Sequence, residues 1–239
     1  MAAEIEGQLN AREREILTAA ILEKKPHPQI VLEIGTWLGG GSTIHFLRAL
    51  EKNGEGRLYG IECDRSIYDC MIENIGKAAP EALHRFTPLF GLSQQIIPKW
   101  ISAQKPEFQI DVVFLDGGSN PMEQMEEFWL IDARMPVGAR LLSHDAKLRK
   151  GKWLVPYMSL LDNWRSELQD TSPQGLFTAT KIAPEPSPGS LSAAQSRYRL
   201  LRLAPMEVAG RLAGPRLRDI AAKVLPHKLM LRLAEGQPE

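Results

Sequence analysis

The chain has 239 residues, 44% hydrophobic and 24% charged, which suits one globular unit with a substantial core. Lys plus Arg equals Asp plus Glu at 29 each, so no global basic field argues for nucleic acid as a partner. No apolar run is long enough for a bilayer span, no signal-peptide core precedes the charged Glu4 and Glu6, and two cysteines, Cys63 and Cys70, make neither a disulfide framework nor a zinc site. The expectation is a cytoplasmic protein with reduced thiols.

Residues 11–24 read as an amphipathic helix, with Ile16, Leu17, Ala20 and Ile21 on one face and Pro26 and Pro28 beyond its end. A buried-strand run, 30–34, then stops at Gly35, and a helical pattern begins at Thr43. Between them lies a loop of glycines and small polar residues. This strand, glycine-rich loop and helix make the unit that cradles nucleotide-like ligands in doubly wound α/β folds. Residues 57–62 form a second strand ending in Glu62, Cys63 and Asp64. An acid at that point can accept hydrogen bonds from ribose hydroxyls. Glu62 is favoured for that role, and Asp64 for capping the helix expected over 66–78.

Pro80 breaks that helix, and a third strand is expected over 85–90. Ser93 follows, as a helix cap or a contact for an adenine edge. The apolar run 110–115 is a fourth strand ending in Asp116, Gly117, Gly118 and Ser119. A helix over 121–134 and a fifth strand over 137–142 come next, the latter leading into Ser143, His144 and Asp145. A long helix is expected over 153–168. The alternating runs 176–182 and 198–203, separated by a Pro/Ser-rich loop, read as an antiparallel hairpin. Residues 204–239 carry Arg211, Arg216, Arg218, Lys223, Lys228 and Arg232 among apolar residues, broken at Pro215 and Pro226. They read as a basic helical extension that docks on the domain or on a second subunit, making a homodimer one expectation. The domain proper is expected to span 1–203.

The spacing in the first loop is Glu33-x-Gly35-x-x-x-Gly39, with Gly40 and Gly41 after it. It lacks the tight G-x-G that receives a dinucleotide pyrophosphate, and Glu33 would repel phosphate but suit a cation. Here the sequence resembles class I S-adenosylmethionine-dependent methyltransferases. The Gly-x-Ser-Gln-x-Ile-Ile-Pro run at 91–98 and the strand ending at Asp116 resemble the catechol O-methyltransferase branch. The strand–Asp-Gly and His-Asp endings also resemble methyltransferases acting on natural-product sugars. The resemblance covers roughly 29–203 and implies a Rossmann-like, doubly wound, seven-stranded sheet, mostly parallel with an antiparallel C-terminal hairpin.

It further implies methyl transfer from S-adenosylmethionine to a small-molecule hydroxyl. The expected cofactor contacts are Glu33, Gly35, Thr36, Gly39, Gly40, Ser42, Glu62, Ser93 and Asp116. Metal-dependent relatives hold Mg²⁺ with the Asp ending strand four and an Asp-Asn pair ending strand five. Here Ala146 stands in the second place of that pair, so Asp116, His144 and Asp145 are the candidate ligands for a divalent ion, Mg²⁺ or Mn²⁺. Relatives place a catalytic His or Lys three residues after the first Asp, where this chain has Ser119. His144 is therefore the candidate base if no metal binds, with Asp116 beside it. Lys147, Lys150 and Trp153 follow in sequence as candidates for the acceptor pocket. Because Ser119 and Ala146 depart from the pattern, the alternative is an adenosylmethionine-binding partner or regulatory subunit without transferase activity.

Overall fold

The computed structural model describes residues 5–203. A seven-stranded sheet runs through it in the order β3-β2-β1-β4-β5-β7-β6. The strands are β1 (Ile30–Ile34), β2 (Arg57–Glu62), β3 (Phe86–Phe90), β4 (Val112–Leu115), β5 (Arg140–His144), β6 (Trp164–Gln169) and β7 (Leu176–Lys181). The first five are parallel, and β7 runs antiparallel between β5 and β6. The expected architecture is therefore present. Strand order reverses between β1 and β4, the place where such sheets open a crevice for ligands at their carboxyl ends.

Both faces are covered. One carries α1 (Ala11–Leu22), α2 (Thr43–Asn53) and α3 (Arg65–Ala78) over a core that includes Leu17, Phe46, Leu50 and Phe114. The other carries α4 (Ser93–Ser102), α5 (Pro121–Ile131), α6 (Gly151–Met158) and α7 (Pro188–Arg202) over Leu32, Val113, Phe128 and Trp164. Alternate residues of β1 serve opposite cores, Val31 one and Leu32 the other, because successive strand side chains point to opposite faces. Local chemistry starts the helices as sequence rules require. Asn10 caps α1 in a capping box with Glu13, Asn120 caps α5 with Glu123, and Asp64 caps α3 through Ser66 and Ile67 N–H.

Two elements differ from expectation. The helix expected over 153–168 ends at Met158, and residues from Trp164 form edge strand β6. Pairing with β7, Trp164 opposite Lys181 through Gln169 opposite Leu176, overrides the helical pattern. The antiparallel hairpin is thus β6–β7 rather than 176–182 with 198–203. Residues 198–203 close helix α7 instead, whose start is written locally: Ser187 caps it, accepting from Ser190 N–H, and Pro188 follows. Tyr198 and Ala194, one helical turn apart, are buried, while Leu200 faces solvent. The fifth strand is shifted to 140–144, leaving Val137 exposed. Residues 204–239, where the basic extension was expected, lie outside the described residues.

Candidate functional site

A cavity of about 370 Å³ opens at the carboxyl ends of the parallel strands. That size falls at the lower end of small-molecule sites. A wider groove of about 900 Å³ lies between α1 and mid-strand residues of β5 and β7, such as Leu141 and Ala179. It is away from the strand tips and from every predicted site residue.

The β1–β2 end of the cavity is built from backbone. Gly35 has φ +87°, and a Cβ there would lie 2.6–2.7 Å from the backbone of Asp116 and Gly117. Glycine thus lets the loop after β1 cross the loop after β4 at contact distance. Trp37 sits at φ +45°, a conformation a bulky residue rarely adopts, and its N–H donates to Glu62 Oε2 at 3.0 Å. Glu62 Oε1 accepts from the N–H groups of Cys63 and Asp64 at 2.8 and 3.0 Å. The carboxylate at the tip of β2 therefore orders the turn around it and lines the cavity with lone pairs in reserve.

Ser93 lines the cavity too, but as the first residue of α4 rather than its cap. Its hydroxyl donates to Glu127 Oε1 at 2.6 Å. Burial, outweighing that bond, pushes the Glu127 carboxyl up to about 7. Its Oε2 has no protein partner.

The β4–β5 end is built from side chains. Asp116 follows β4, His144 ends β5 and Asp145 follows it, and their ligating atoms lie within 4.8 Å of one another. The structure thus brings the three candidate metal ligands together. Lys150 joins them: its Nζ is 2.7 Å from Asp116 Oδ1 and 2.9 Å from Asp145 Oδ2, with the side chain 6% exposed. Burial opposes the ammonium charge, but the two carboxylates outweigh it and hold Lys150 above the ordinary lysine range. His144 Nδ1 lies 3.3 Å from Asp116 Oδ1 and 3.5 Å from Asp145 Oδ1, while Nε2 lies 3.6 Å from Glu13 Oε2. Burial lowers its pKa, yet these carboxylates outweigh burial and raise it above the usual histidine value.

For a divalent ion the donor set is right and the space is not. The ammonium of Lys150 already bridges the two carboxylates, so an ion on Asp116, His144 and Asp145 would have to displace it. His144 is 4% exposed and does not line the cavity, whereas Asp116, Asp145 and Lys150 do.

Of the expected cofactor contacts, Gly35, Glu62, Ser93 and Asp116 line the cavity, and Glu33, Thr36, Gly39, Gly40 and Ser42 do not. Glu33 is fully buried and takes a hydrogen bond from the Ser42 hydroxyl. Burial pushes its carboxyl up to about 8, so at neutral pH it offers no anion to a cationic ligand. Thr36 is buried below the loop. Gly39 packs on Ile75, and a Cβ at Gly40 would meet the carbonyl oxygens of Ile5 and Glu6 at 2.2–2.3 Å. The second half of the glycine run therefore serves packing of α3 and of the N-terminal segment. Of the three residues expected at the acceptor pocket, Lys150 lines the cavity and Lys147 and Trp153 do not, while the cavity residues Gln8, Glu123 and Glu127 carried no site motif in sequence. Only the spacing of Glu123 and Glu127, one turn apart on α5, could have put those two on one face.

Residues 32–146 match the model of a family described as a methyltransferase domain. No curated protein matches the sequence. Among solved structures, the chain is similar to an O-methyltransferase of Bacillus cereus in complex with SAH, at 17% identity and TM-score 0.58 over 73% of this chain and 82% of that one. It is similar to a methyltransferase of Geobacter sulfurreducens at 17% identity and TM-score 0.58, over 73% and 80%. An rRNA methylase of Streptococcus thermophilus aligns at 15% identity and TM-score 0.52, over 72% and 95%. The matched segment runs from β1 through β5, the loops of which form both ends of the cavity. Residues 32–146 are thus similar to a methyltransferase domain, and the solved structures share the Rossmann-like fold of this sheet.

Proposed function

We propose that the chain transfers a methyl group from S-adenosylmethionine to a hydroxyl of a small molecule. The observation that carries this reading is the convergence on one cavity of Glu62 at the β2 tip with Asp116, Asp145 and Lys150 at the β4 and β5 tips. Bound adenosylmethionine supplies an electrophilic methyl group on a sulfonium sulfur. Glu62 accepts the ribose hydroxyls, and Ser93 and Gln94 lie where an adenine edge would rest. Asp116, Asp145 and Lys150 face the acceptor. The contacts of Asp116 fall on Oδ1, so Oδ2 is left to take the proton of the acceptor hydroxyl. Holding the reactants in line is the main contribution, since well-oriented reactions reach effective molarities of about 10⁵–10⁸ M.

The lining supports a small neutral or cationic acceptor over nucleic acid. Glu62, Asp116, Glu123 and Asp145 stand in it against Lys150, an arrangement that repels polyphosphate. Mg²⁺ or Mn²⁺ on Asp116, His144 and Asp145 would require Lys150 to leave, so no step is assigned to a metal. Two exposed free thiols, Cys63 and Cys70, suit a cytoplasmic setting, and no helix among the described residues is long and apolar enough to cross a membrane. Residues 204–239 are read as docking on the domain or on a second subunit, checked by light scattering and thermal unfolding of a chain ending at Leu203.

Calorimetry with adenosylhomocysteine and turnover against a panel of hydroxylated acceptors test the proposal. Adenosylhomocysteine binding without turnover on any acceptor would favour a binding subunit instead. Absence of adenosylhomocysteine binding would overturn the reading altogether.

A further inference from the structure

The transferase reading, on which this inference rests, leaves one question at the acceptor end: what holds two carboxylates together there. Asp116 and Asp145 extend adjacent parallel strands, with Leu115 paired to Ser143. Carboxylates brought so close repel unless a cation stands between them. The loop from Asp145 to Lys150 is folded to deliver one. Asp145 adopts φ +56°, Leu148 N–H returns to Asp145 O at 2.9 Å, and Gly151 N–H donates to Leu148 O at 3.2 Å. At Gly151 a Cβ would lie 2.3 Å from the Ala146 carbonyl oxygen, so a side chain there would push the loop open. With glycine the turn closes and Lys150, just before α6, reaches back over the strand tips. Its Nζ then contacts Asp116 Oδ1 and Asp145 Oδ2 at 2.7 and 2.9 Å. The remaining contact, to the Asp116 carbonyl oxygen, is long at 3.4 Å. That third N–H is the one available to a ligand in the cavity.

We propose that Lys150 is the resident cation of this site: its ammonium takes the place between Asp116 and Asp145 that a divalent ion would occupy, and directs its third N–H to the acceptor oxygen. The site then works without a metal. An ammonium and a divalent ion cannot share this position, because each carries the charge that balances the same pair of carboxylates.

The test is Mn²⁺ binding to the full chain, followed by electron paramagnetic resonance. The wild type is expected to bind no Mn²⁺ at millimolar concentration, and its turnover is expected to survive excess chelator. Lys150→Ala, which empties the position, is expected to raise Mn²⁺ affinity at least about tenfold. Adding Asp116→Asn to it should remove that gain. A wild-type Mn²⁺ site that Asp145→Asn abolishes would overturn the proposal. So would turnover that stops in chelator and returns with Mn²⁺. Should Lys150→Ala fail to fold, the wild-type arms and Lys150→Arg, which keeps the charge and should exclude Mn²⁺ as the wild type does, still decide. Calorimetry with adenosylhomocysteine runs alongside. Its failure on the wild type would sink the transferase reading, whereas the Mn²⁺ result bears on Lys150 alone.

Discussion

The two ends of the cavity are made of different material. At the β1–β2 end the shape comes from backbone: Gly35 at positive φ, Trp37 in a left-handed turn, and three N–H groups gathered on Glu62. At the β4–β5 end it comes from the charged side chains of Asp116, Asp145 and Lys150, held by mutual neutralisation, with His144 beside both carboxylates and near Glu13 of α1. Backbone cradles are set by a short stretch of chain and change little with pH or salt. A charge network is set by residues far apart in sequence, and each member depends on the others remaining paired. Recognition of a shared cofactor suits the first kind of construction, and adaptation to a particular acceptor suits the second.

The largest expected effect joins the two ends. Gly35→Val forces a side chain into the backbone of Asp116 and Gly117, at 2.6–2.7 Å, from a φ that valine avoids. We expect a stability loss of at least about 4 kcal/mol and no measurable adenosylhomocysteine binding. Thermal unfolding and calorimetry check this, and near-normal values for both would mean that the loops do not cross as described.

A second effect shows where the backbone end does depend on ionisation. The Glu33 carboxyl rises from 4.5 to about 8 on folding, through burial. Between those values the folded state holds the proton and the unfolded state does not. The contribution is fully present below about 4.5 and is lost as pH rises towards 8, with a slope of about 1.4 kcal/mol per pH unit. Glu33→Gln should flatten that part of the stability profile, measured as the urea midpoint against pH. An unchanged slope would mean that Glu33 is ionised in the folded protein.

Glu62→Ala removes the acceptor for three backbone donors without touching the charge network. We expect adenosylhomocysteine affinity to fall by about 1–3 kcal/mol, while the Mn²⁺ behaviour of the other end stays as in the wild type. A change at both ends would show that they are coupled beyond the Gly35 crossing. The smallest expected effect is at Ser93→Ala, which removes the hydroxyl that donates to Glu127 at 2.6 Å. A loss of about 1 kcal/mol in stability, seen as a lower melting temperature, is expected. A larger fall in cofactor affinity than in stability would place Ser93 directly on the ligand.

The sequence alone determined what depends on neighbours in the chain. The turn at Gly35, the cap at Asp64 and the acid at the end of β2 all follow from residue types within a few positions of one another, where steric and hydrogen-bonding rules act directly. Asp116, His144 and Asp145 could be set at adjacent strand tips because parallel strands joined by helices align their carboxyl ends. Tertiary structure decided the rest. Trp164–Gln169 became a strand because β7 offered it a partner, a fact absent from its own pattern. The alternation of Tyr198 and Leu200 was overruled by a helix start further back and by the packing of Ala194 and Tyr198. Glu33, expected to suit a cation, is instead buried and protonated, because β1 lies in the middle of the sheet between β2 and β4 and packing covers both its faces. Lys150 was expected near the acceptor only because it follows β5, as Lys147 and Trp153 do, and nothing local marked it as a counter-ion. A lysine becomes the counter-ion of two distant carboxylates only when a closed turn brings its ammonium within hydrogen-bond distance and removes the water that would otherwise solvate it.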